Sequence, residues 1–186
     1  RKLEEYNLAP EAGIVLVGAG ETNVLVSKYL KKAGYLNFTV YNRTLEKAQQ
    51  LANFLGGRAY PLDALAAHDQ KVAVVISCTS RQEPIIDAAV WNQLPREKGF
   101  PTVVIDLAVP GDVDAAVSSR ADVAYINIAS LKQEVERNLE FRESELEKAR
   151  DIIEKGLESF AEMQRIRNVE LALSHFPAQV KEVRKK

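Results

Sequence analysis

The sequence predicts an α/β fold, a parallel sheet with helices on both faces, followed by a long C-terminal amphipathic helix. Three observations predict it. Short runs apolar at nearly every position recur along the first two thirds of the chain, as in strands buried on both faces. Segments with helical apolar spacing lie between them, which is the alternation of βαβ units. After Ala129 the texture changes to a continuous pattern of three- and four-residue steps.

The elements follow in order. Ile14-Val15-Leu16-Val17 is a β-branched run that ends in glycine. A helix over Thr22 to Ala33 carries Val24, Leu25, Tyr29 and Leu30 on one face. Phe38-Thr39-Val40-Tyr41 is the second strand. The next helix, Leu45 to Leu55, has Thr44 as N-cap and Gly56-Gly57 as its stop. Arg58-Ala59-Tyr60 is a short strand; Val72 to Ile76, Thr102 to Ile105 and Val123 to Ile126 complete the set. From Ser130 to about Glu170 there is no proline and one glycine, Gly156. Leu131, Val135, Leu139, Leu146, Ala149, Ile153, Leu157 and Phe160 form a stripe, with Glu145/Lys148, Glu147/Arg150 and Asp151/Lys155 on other faces. Ser130 is the expected cap, with Gln133 as reciprocal partner. Such a stripe must be buried against its own domain, another domain or a second copy. The expected division is residues 1–129 for the sheet domain and 130–186 for the long linker helix and the start of a dimerisation region.

Composition narrows the function. The 186 residues are 46% hydrophobic and carry 25 basic and 26 acidic groups, a formal charge of −1. That balance gives no overall electrostatic footprint for nucleic acid. Cys78 is the single cysteine, so an internal disulfide and a multi-cysteine zinc site are excluded, and His68 and His175 stand far apart. No metal site is expected. No apolar run approaches the roughly 18 residues of a membrane helix, and no signal-peptide pattern opens the sequence. The expected class is soluble, globular and cytoplasmic.

The chemistry sits at strand ends. Gly18-Ala19-Gly20-Glu21-Thr22-Asn23 follows the first strand and opens the first helix, the context of a dinucleotide fingerprint. Gly18 permits the tight turn. Gly20 lets a pyrophosphate approach the backbone, and amides of the helix start face it. Asn23 stands at the third fingerprint position, where glycine or alanine allows close packing, and so loosens the match. About twenty residues on, Asn42-Arg43-Thr44 ends the second strand where an NAD site carries an acid. Arg43 offers instead a planar fork for a 2′-phosphate, Thr44 adds a hydroxyl, and Lys47 adds charge one turn along. This predicts NADPH over NADH. Ser77-Cys78-Thr79-Ser80 lines the crevice at the next strand end, offering contacts to the nicotinamide ribose or the pyrophosphate. Cys78 is read as a small packed cysteine and not a nucleophile. The loop Asp106-Leu107-Ala108-Val109-Pro110 also faces the crevice; Asp106 is expected to hold it, and Asp112 or Asp114 to cap a short helix. No acid–base pair or triad is evident.

These residues resemble the NADPH-binding Rossmann domain of the glutamyl-tRNA reductase family together with the start of its helical region. The resemblance rests on Val15-Leu16-Val17-Gly18-Ala19-Gly20-Glu21, on Asn42-Arg43-Thr44 with Lys47-Ala48, and on Thr79 with Glu83-Pro84-Ile85-Ile86. It continues in Ile105 to Pro110 with Asp112, and in Asn138-Leu139, Arg142, Ala149 and Ile152-Ile153-Glu154. Asn-Arg-Thr is shared with shikimate dehydrogenases. The chain departs from the family at Asn23, at Gly111 (an arginine is expected) and at Ala129-Ser130 (an acidic pair is expected).

The resemblance implies an oxidoreductase in three parts. A cysteine of an N-terminal domain attacks the glutamyl ester of the tRNA, and NADPH on the middle domain reduces the thioester to glutamate-1-semialdehyde for tetrapyrrole (porphyrin and heme) synthesis. Cofactor contacts are then expected at Gly18, Ala19, Gly20, Glu21, Thr22, Asn23, Asn42, Arg43, Thr44, Lys47, Cys78, Thr79, Ser80, Ala108 and Val109. Glutamyl-tRNA would be met through the missing N-terminal domain. A homodimer and the downstream glutamate-1-semialdehyde aminotransferase are the implied protein partners, with no membrane. The present chain is expected to be a fragment without catalytic residues of its own. Two alternatives stay open at this point: another NADP-dependent reductase with a shikimate-dehydrogenase-like domain, and a degenerate Rossmann module kept for dimerisation or regulation.

Overall fold

A computed structural model describes residues 3–96 and 100–174. Its elements are β1 (Ile14–Val17), α1 (Glu21–Lys32), β2 (Phe38–Asn42), α2 (Leu45–Leu55), β3 (Arg58–Pro61), a 3-10 segment (Leu62–Ala67), β4 (Val74–Ser77), α3 (Ala88–Gln93), β5 (Thr102–Asp106), α4 (Ala115–Ser118), β6 (Val123–Asn127) and α5 (Ile128–Ser174). The six strands form one sheet in the order β3-β2-β1-β4-β5-β6. Every pairing is parallel, with Val17 level with Tyr41 on one side and Ser77 on the other. The order reverses between β1 and β4. That switch point opens a crevice at the carboxyl ends of the strands, as in the Rossmann fold expected from the sequence.

The apolar runs explain the layers. Successive strand residues point to opposite faces. Ile14 and Leu16 enter a core with Phe38, Val40, Leu51 and Leu55. Val15 and Val17 enter a second core with Tyr41, Val75, Trp91 and Val104. All four residues of β1 are buried, so both faces contribute; a fully buried aliphatic side chain is worth roughly 1.5–3 kcal/mol.

Two local expectations are corrected. The buried face of α1 is Asn23, Ser27 and Leu30, while Leu25 and Tyr29 are exposed. Small polar residues win there because the helix starts close to the sheet, where Ser27 Oγ donates to Asn23 O at 2.6 Å. The long helix begins at Ile128, two residues before the expected cap. Asn127 takes that role: its Oδ1 accepts from Ser130 N at 2.9 Å, and Ser130 Oγ accepts from Asn127 N at 3.0 Å. This is the reciprocal geometry of a capping box, displaced by three residues and with Ser130 as the inner partner. Elsewhere Gly56 ends α2 in the left-handed conformation with φ 75°, as a C-terminal glycine should.

The chain divides into two compact units, residues 1–132 and 133–186. In the first, Leu131 packs partly buried against the sheet core. In the second, α5 continues, with Lys148 Nζ 2.7 Å from Glu145 Oε1 as the spacing predicts. The stripe residues Val135, Leu139, Leu146, Ile153, Leu157 and Phe160 are all exposed. No described helix is long and apolar enough to cross a membrane. His175 and the end of the segment 130–186 lie outside the described residues.

Candidate functional site at the sheet switch point

The Gly18 turn is built by its neighbours. Gly18 has φ +98°, a conformation that L side chains rarely adopt, and a Cβ there would stand 2.3 Å from Cys78 O. A glycine is therefore required where β1 leaves the sheet beside β4. Gly20 differs: its φ is −78°, and a Cβ would meet nothing within 4 Å. Its bareness is open space in front of α1, and Gly20 supplies no side chain to cap the first turn.

Asn23 performs what the third small residue of the fingerprint normally permits. It is fully buried, and its Nδ2 donates to Val17 O at 2.9 Å and to Gly18 O at 2.8 Å. Helix and strand thus approach closely through hydrogen bonds, so Asn23 tightens the motif. It is absent from the cavity wall.

Asn42 joins the two halves of the crevice. Its Oδ1 accepts from Ala19 N at 3.2 Å, and its Nδ2 donates to Thr44 O at 2.9 Å. The glycine turn and the Arg43–Thr44 segment are therefore fixed relative to each other. Thr44 starts α2 without using its own hydroxyl as a cap.

One cavity of about 880 Å³ collects these groups. Gly18, Ala19, Gly20, Asn42, Arg43, Thr44, Lys47, Cys78, Thr79 and Ser80 line it. Glu21, Thr22, Asn23, Ala108 and Val109, also expected at the site, are not on its wall. Thr22 is exposed at the start of α1 and shares a side-chain hydrogen bond with Cys78. Val109 is 81% exposed beside a cis Val109-Pro110 bond, and Ala108 is buried. The wall also includes Pro61 at the end of β3, Leu62, Asp63, Leu65 and Ala66 after it, and Arg81, Ile85 and Val90 after β4. The sequence reading missed these. The signal was the short strand at Arg58-Ala59-Tyr60, whose carboxyl end must open on the same side as the others. Arg43, Lys47 and Arg81 face the cavity against a single acid of its wall, Asp63, so the lining is net positive.

Two buried carboxylates, Asp106 and Asp112, organise the loops that follow β4 and β5. Asp106 Oδ1 accepts from Ala108 N at 3.1 Å, and Oδ2 accepts from Val113 N and from the Tyr125 hydroxyl, each at 3.1 Å. Asp106 thus holds its loop, as expected. Burial, with Asp106 beside it, pushes the Tyr125 phenol up to about 12. A Cβ on Gly111 would stand 2.8 Å from Asp106 Oδ2, which accounts for glycine at this departure from the family pattern. Asp112 binds Ser77 and Thr79, and Asp114 alone caps α4, accepting from Ala116 N at 2.7 Å. Burial pushes the Cys78 thiol up, opposed by its bond with Thr22, and Sγ lies 3.5 Å from Leu107 O. These are the surroundings of a packed thiol.

Comparisons with known proteins show the family and the fold. The Shikimate / quinate 5-dehydrogenase family profile matches residues 3–134. A glutamyl-tRNA reductase of Marinobacter nauticus is 39% identical over 152 residues, 81% of this chain and 35% of that protein. The chain therefore spans about a third of the length of the curated relatives it matches. Among solved structures, glutamyl-tRNA reductase from Methanopyrus kandleri superposes with a TM-score of 0.65 at 34% identity, over 83% of this chain and 40% of that one. The nucleotide binding domain of a Thermoplasma volcanium glutamyl-tRNA reductase shares the fold, with a TM-score of 0.54 at 20% identity, over 76% of this chain and 91% of that one.

Proposed function

The chain belongs to the Shikimate / quinate 5-dehydrogenase family and is similar to glutamyl-tRNA reductases, and from that premise we propose that it is the NADPH-binding part of such a reductase. Residues 1–129 form the cofactor domain in this reading, and residues 130–186 the linker helix and the start of a dimerisation region.

One observation carries the reading: the Gly18–Gly20 turn and the Arg43, Thr44 and Lys47 cluster share a single cavity at the switch point. The donor set fits a phosphorylated dinucleotide. The uncapped first turn of α1 leaves amides for a pyrophosphate, in front of the open space at Gly20. The amide of Ala19 is taken by Asn42, so it is not among them. Arg43 and Lys47 supply the charge for a 2′-phosphate, and no acid stands at the end of β2 to favour a bare ribose hydroxyl. Bound NADPH supplies a hydride. The chain's own residues orient it: the turn fixes the phosphates, Asn42 sets the distance between the turn and Arg43, and the apolar wall from Ile85 and Val90 excludes water.

In the whole protein, NADPH held by the Gly18–Gly20 turn, Arg43, Thr44 and Lys47 would supply the reducing equivalent for converting an activated glutamyl group delivered on tRNA to glutamate-1-semialdehyde. Self-association through α5 fits the exposed Leu157, Phe160 and Met163, and the aminotransferase that consumes the aldehyde is the partner that the family resemblance implies. Titrating the chain into NADPH while following nicotinamide fluorescence tests the reading. Saturable binding is expected. A chain that leaves the fluorescence of both NADPH and NADH unchanged contradicts it.

A further inference from the structure

Asp112 decides what the crevice wall beside β4 can offer a ligand. It is fully buried. Its Oδ2 accepts from Ser77 Oγ at 2.6 Å and from Thr79 N at 2.9 Å, and its Oδ1 accepts from Thr79 Oγ1 at 2.6 Å. Its own carbonyl accepts the amides of Ile85 at 2.8 Å and Ile86 at 2.9 Å, which anchors the carboxylate from a second side.

The hydroxyl of Thr79 can then be accounted for completely. A threonine hydroxyl has one proton and two lone pairs, and an ionised carboxylate only accepts. The proton is committed to Asp112. One lone pair accepts from Arg81 N at 3.3 Å. A single lone pair remains, and Thr79 lines the cavity. The methyl group is turned the other way: Thr79 Cγ2 lies 3.3 Å from where a Cβ on Gly18 would be. Toward the glycine turn Thr79 therefore presents carbon, and what its hydroxyl can offer a ligand in the cavity it lines is an acceptor with no proton to give.

We propose that Asp112 is a positioning residue that makes Thr79 an acceptor-only group, selecting a hydrogen-bond donor on the ligand and not a phosphate oxygen. Phosphate oxygens accept, so Thr79 has nothing for them. The donors of a nicotinamide dinucleotide outside its adenosine half are the ribose hydroxyls and the carboxamide N–H groups. Of the two contacts that the sequence left open for this segment, the nicotinamide ribose and the pyrophosphate, only the first carries donors, so the proposal assigns Thr79 to the nicotinamide half; donors of the adenosine half, the adenine amino group and the 3′-hydroxyl, are the competing assignment that 2′,5′-ADP tests. The inference rests on the NADPH reading.

The test compares NADPH with 2′,5′-ADP, which carries the adenosine half alone, by calorimetric titration. Thr79→Val is expected to weaken NADPH about five- to tenfold, the usual worth of one hydrogen bond, and to leave 2′,5′-ADP unchanged. Thr79→Ser keeps the hydroxyl and is expected to keep NADPH affinity. Asp112→Asn places an amide N–H against Thr79 Oγ1 and frees the threonine proton. It is expected to weaken NADPH as Thr79→Val does, with little further loss when the two are combined. If Asp112→Asn does not fold, the two Thr79 variants carry the test. The same Thr79→Val comparison with the 3-acetylpyridine analogue assigns the donor: a persisting loss means a ribose hydroxyl, a vanished loss the carboxamide, and either supports the proposal. Equal weakening of NADPH and 2′,5′-ADP in Thr79→Val, or no weakening of NADPH, overturns it while leaving the cofactor reading intact. A wild-type chain that binds neither ligand overturns both.

Discussion

The side-chain amide of Asn23 donates to the carbonyl of Gly18 at 2.8 Å, so the first turn of α1 is tied to the turn that leads into it. The same nitrogen reaches Val17 O at 2.9 Å. Removing it leaves two carbonyls without that donor and a void in a fully buried position. Asn23→Ala is expected to cost about 2 kcal/mol. The midpoint of urea unfolding measures this; a variant as stable as the parent would show that the contact contributes nothing.

Gly18 and Gly20 should respond in opposite ways. Alanine at Gly18 meets both a φ of +98° and the Cys78 carbonyl at 2.3 Å, so backbone must move. Gly18→Ala is expected to lose about 3 kcal/mol or more. Alanine at Gly20 meets nothing and needs no unusual backbone. Gly20→Ala is expected to keep its Tm within a few degrees and to lose NADPH binding tenfold or more, because the methyl occupies the phosphate approach. Thermal melts paired with cofactor titrations separate the two. Unimpaired binding by Gly20→Ala would place the phosphates elsewhere.

His68 makes stability depend on pH. It is buried, with Nδ1 2.8 Å from the Tyr41 hydroxyl, and Tyr41 stacks on Tyr60. Burial pushes the imidazole below its usual 6.5, reinforced by Arg58 and opposed by Asp69 and by the hydrogen bond with the Gln70 backbone. The unfolded chain therefore accepts a proton that the folded chain resists. This contribution is complete above pH 6.5 and is lost as pH falls through the lower folded value. A neutral Nδ1 can accept the tyrosine proton and an imidazolium cannot. The Tm of the parent is expected to fall from pH 7 to 5.5, and His68→Gln to flatten that dependence. Parallel pH profiles would assign the effect to other groups.

The sheet was legible because its signal is compositional. β1, β2, β4 and β5 are buried on both faces, and an unbroken apolar run is the only pattern that satisfies two faces at once. The glycine turn was legible because strand, glycines and helix are contiguous. The start of α5 was not. Asn127 caps from within what reads as the end of a strand, and Ser130 looks like a cap because a serine serves either end of a capping box.

The site was legible in its contiguous pieces and obscure wherever it depends on contacts across the chain. Arg43 and Lys47 follow from position alone. Asn42 looked like part of a ligand motif, and its bond to Ala19, 23 residues away, appears only in three dimensions. Asp112 looked like a helix cap; its partners Ser77 and Thr79 lie 35 and 33 residues back. The wall after β3 was missed because all its residues but Asp63 are apolar, and apolar side chains lining a cavity read no differently from those filling a core.

The central claim is that Arg43, held by the Asn42 link to the glycine turn, reads a 2′-phosphate. The direct measurement is a calorimetric titration of the chain and of Arg43→Ala with NADPH and with NADH. The account predicts at least tenfold tighter NADPH binding by the parent, as expected of a charge-assisted contact worth about 1.5–3 kcal/mol. In the variant that preference should collapse, with NADH affinity little changed. Equal affinities in the parent, or a preference that survives the loss of Arg43, would contradict it.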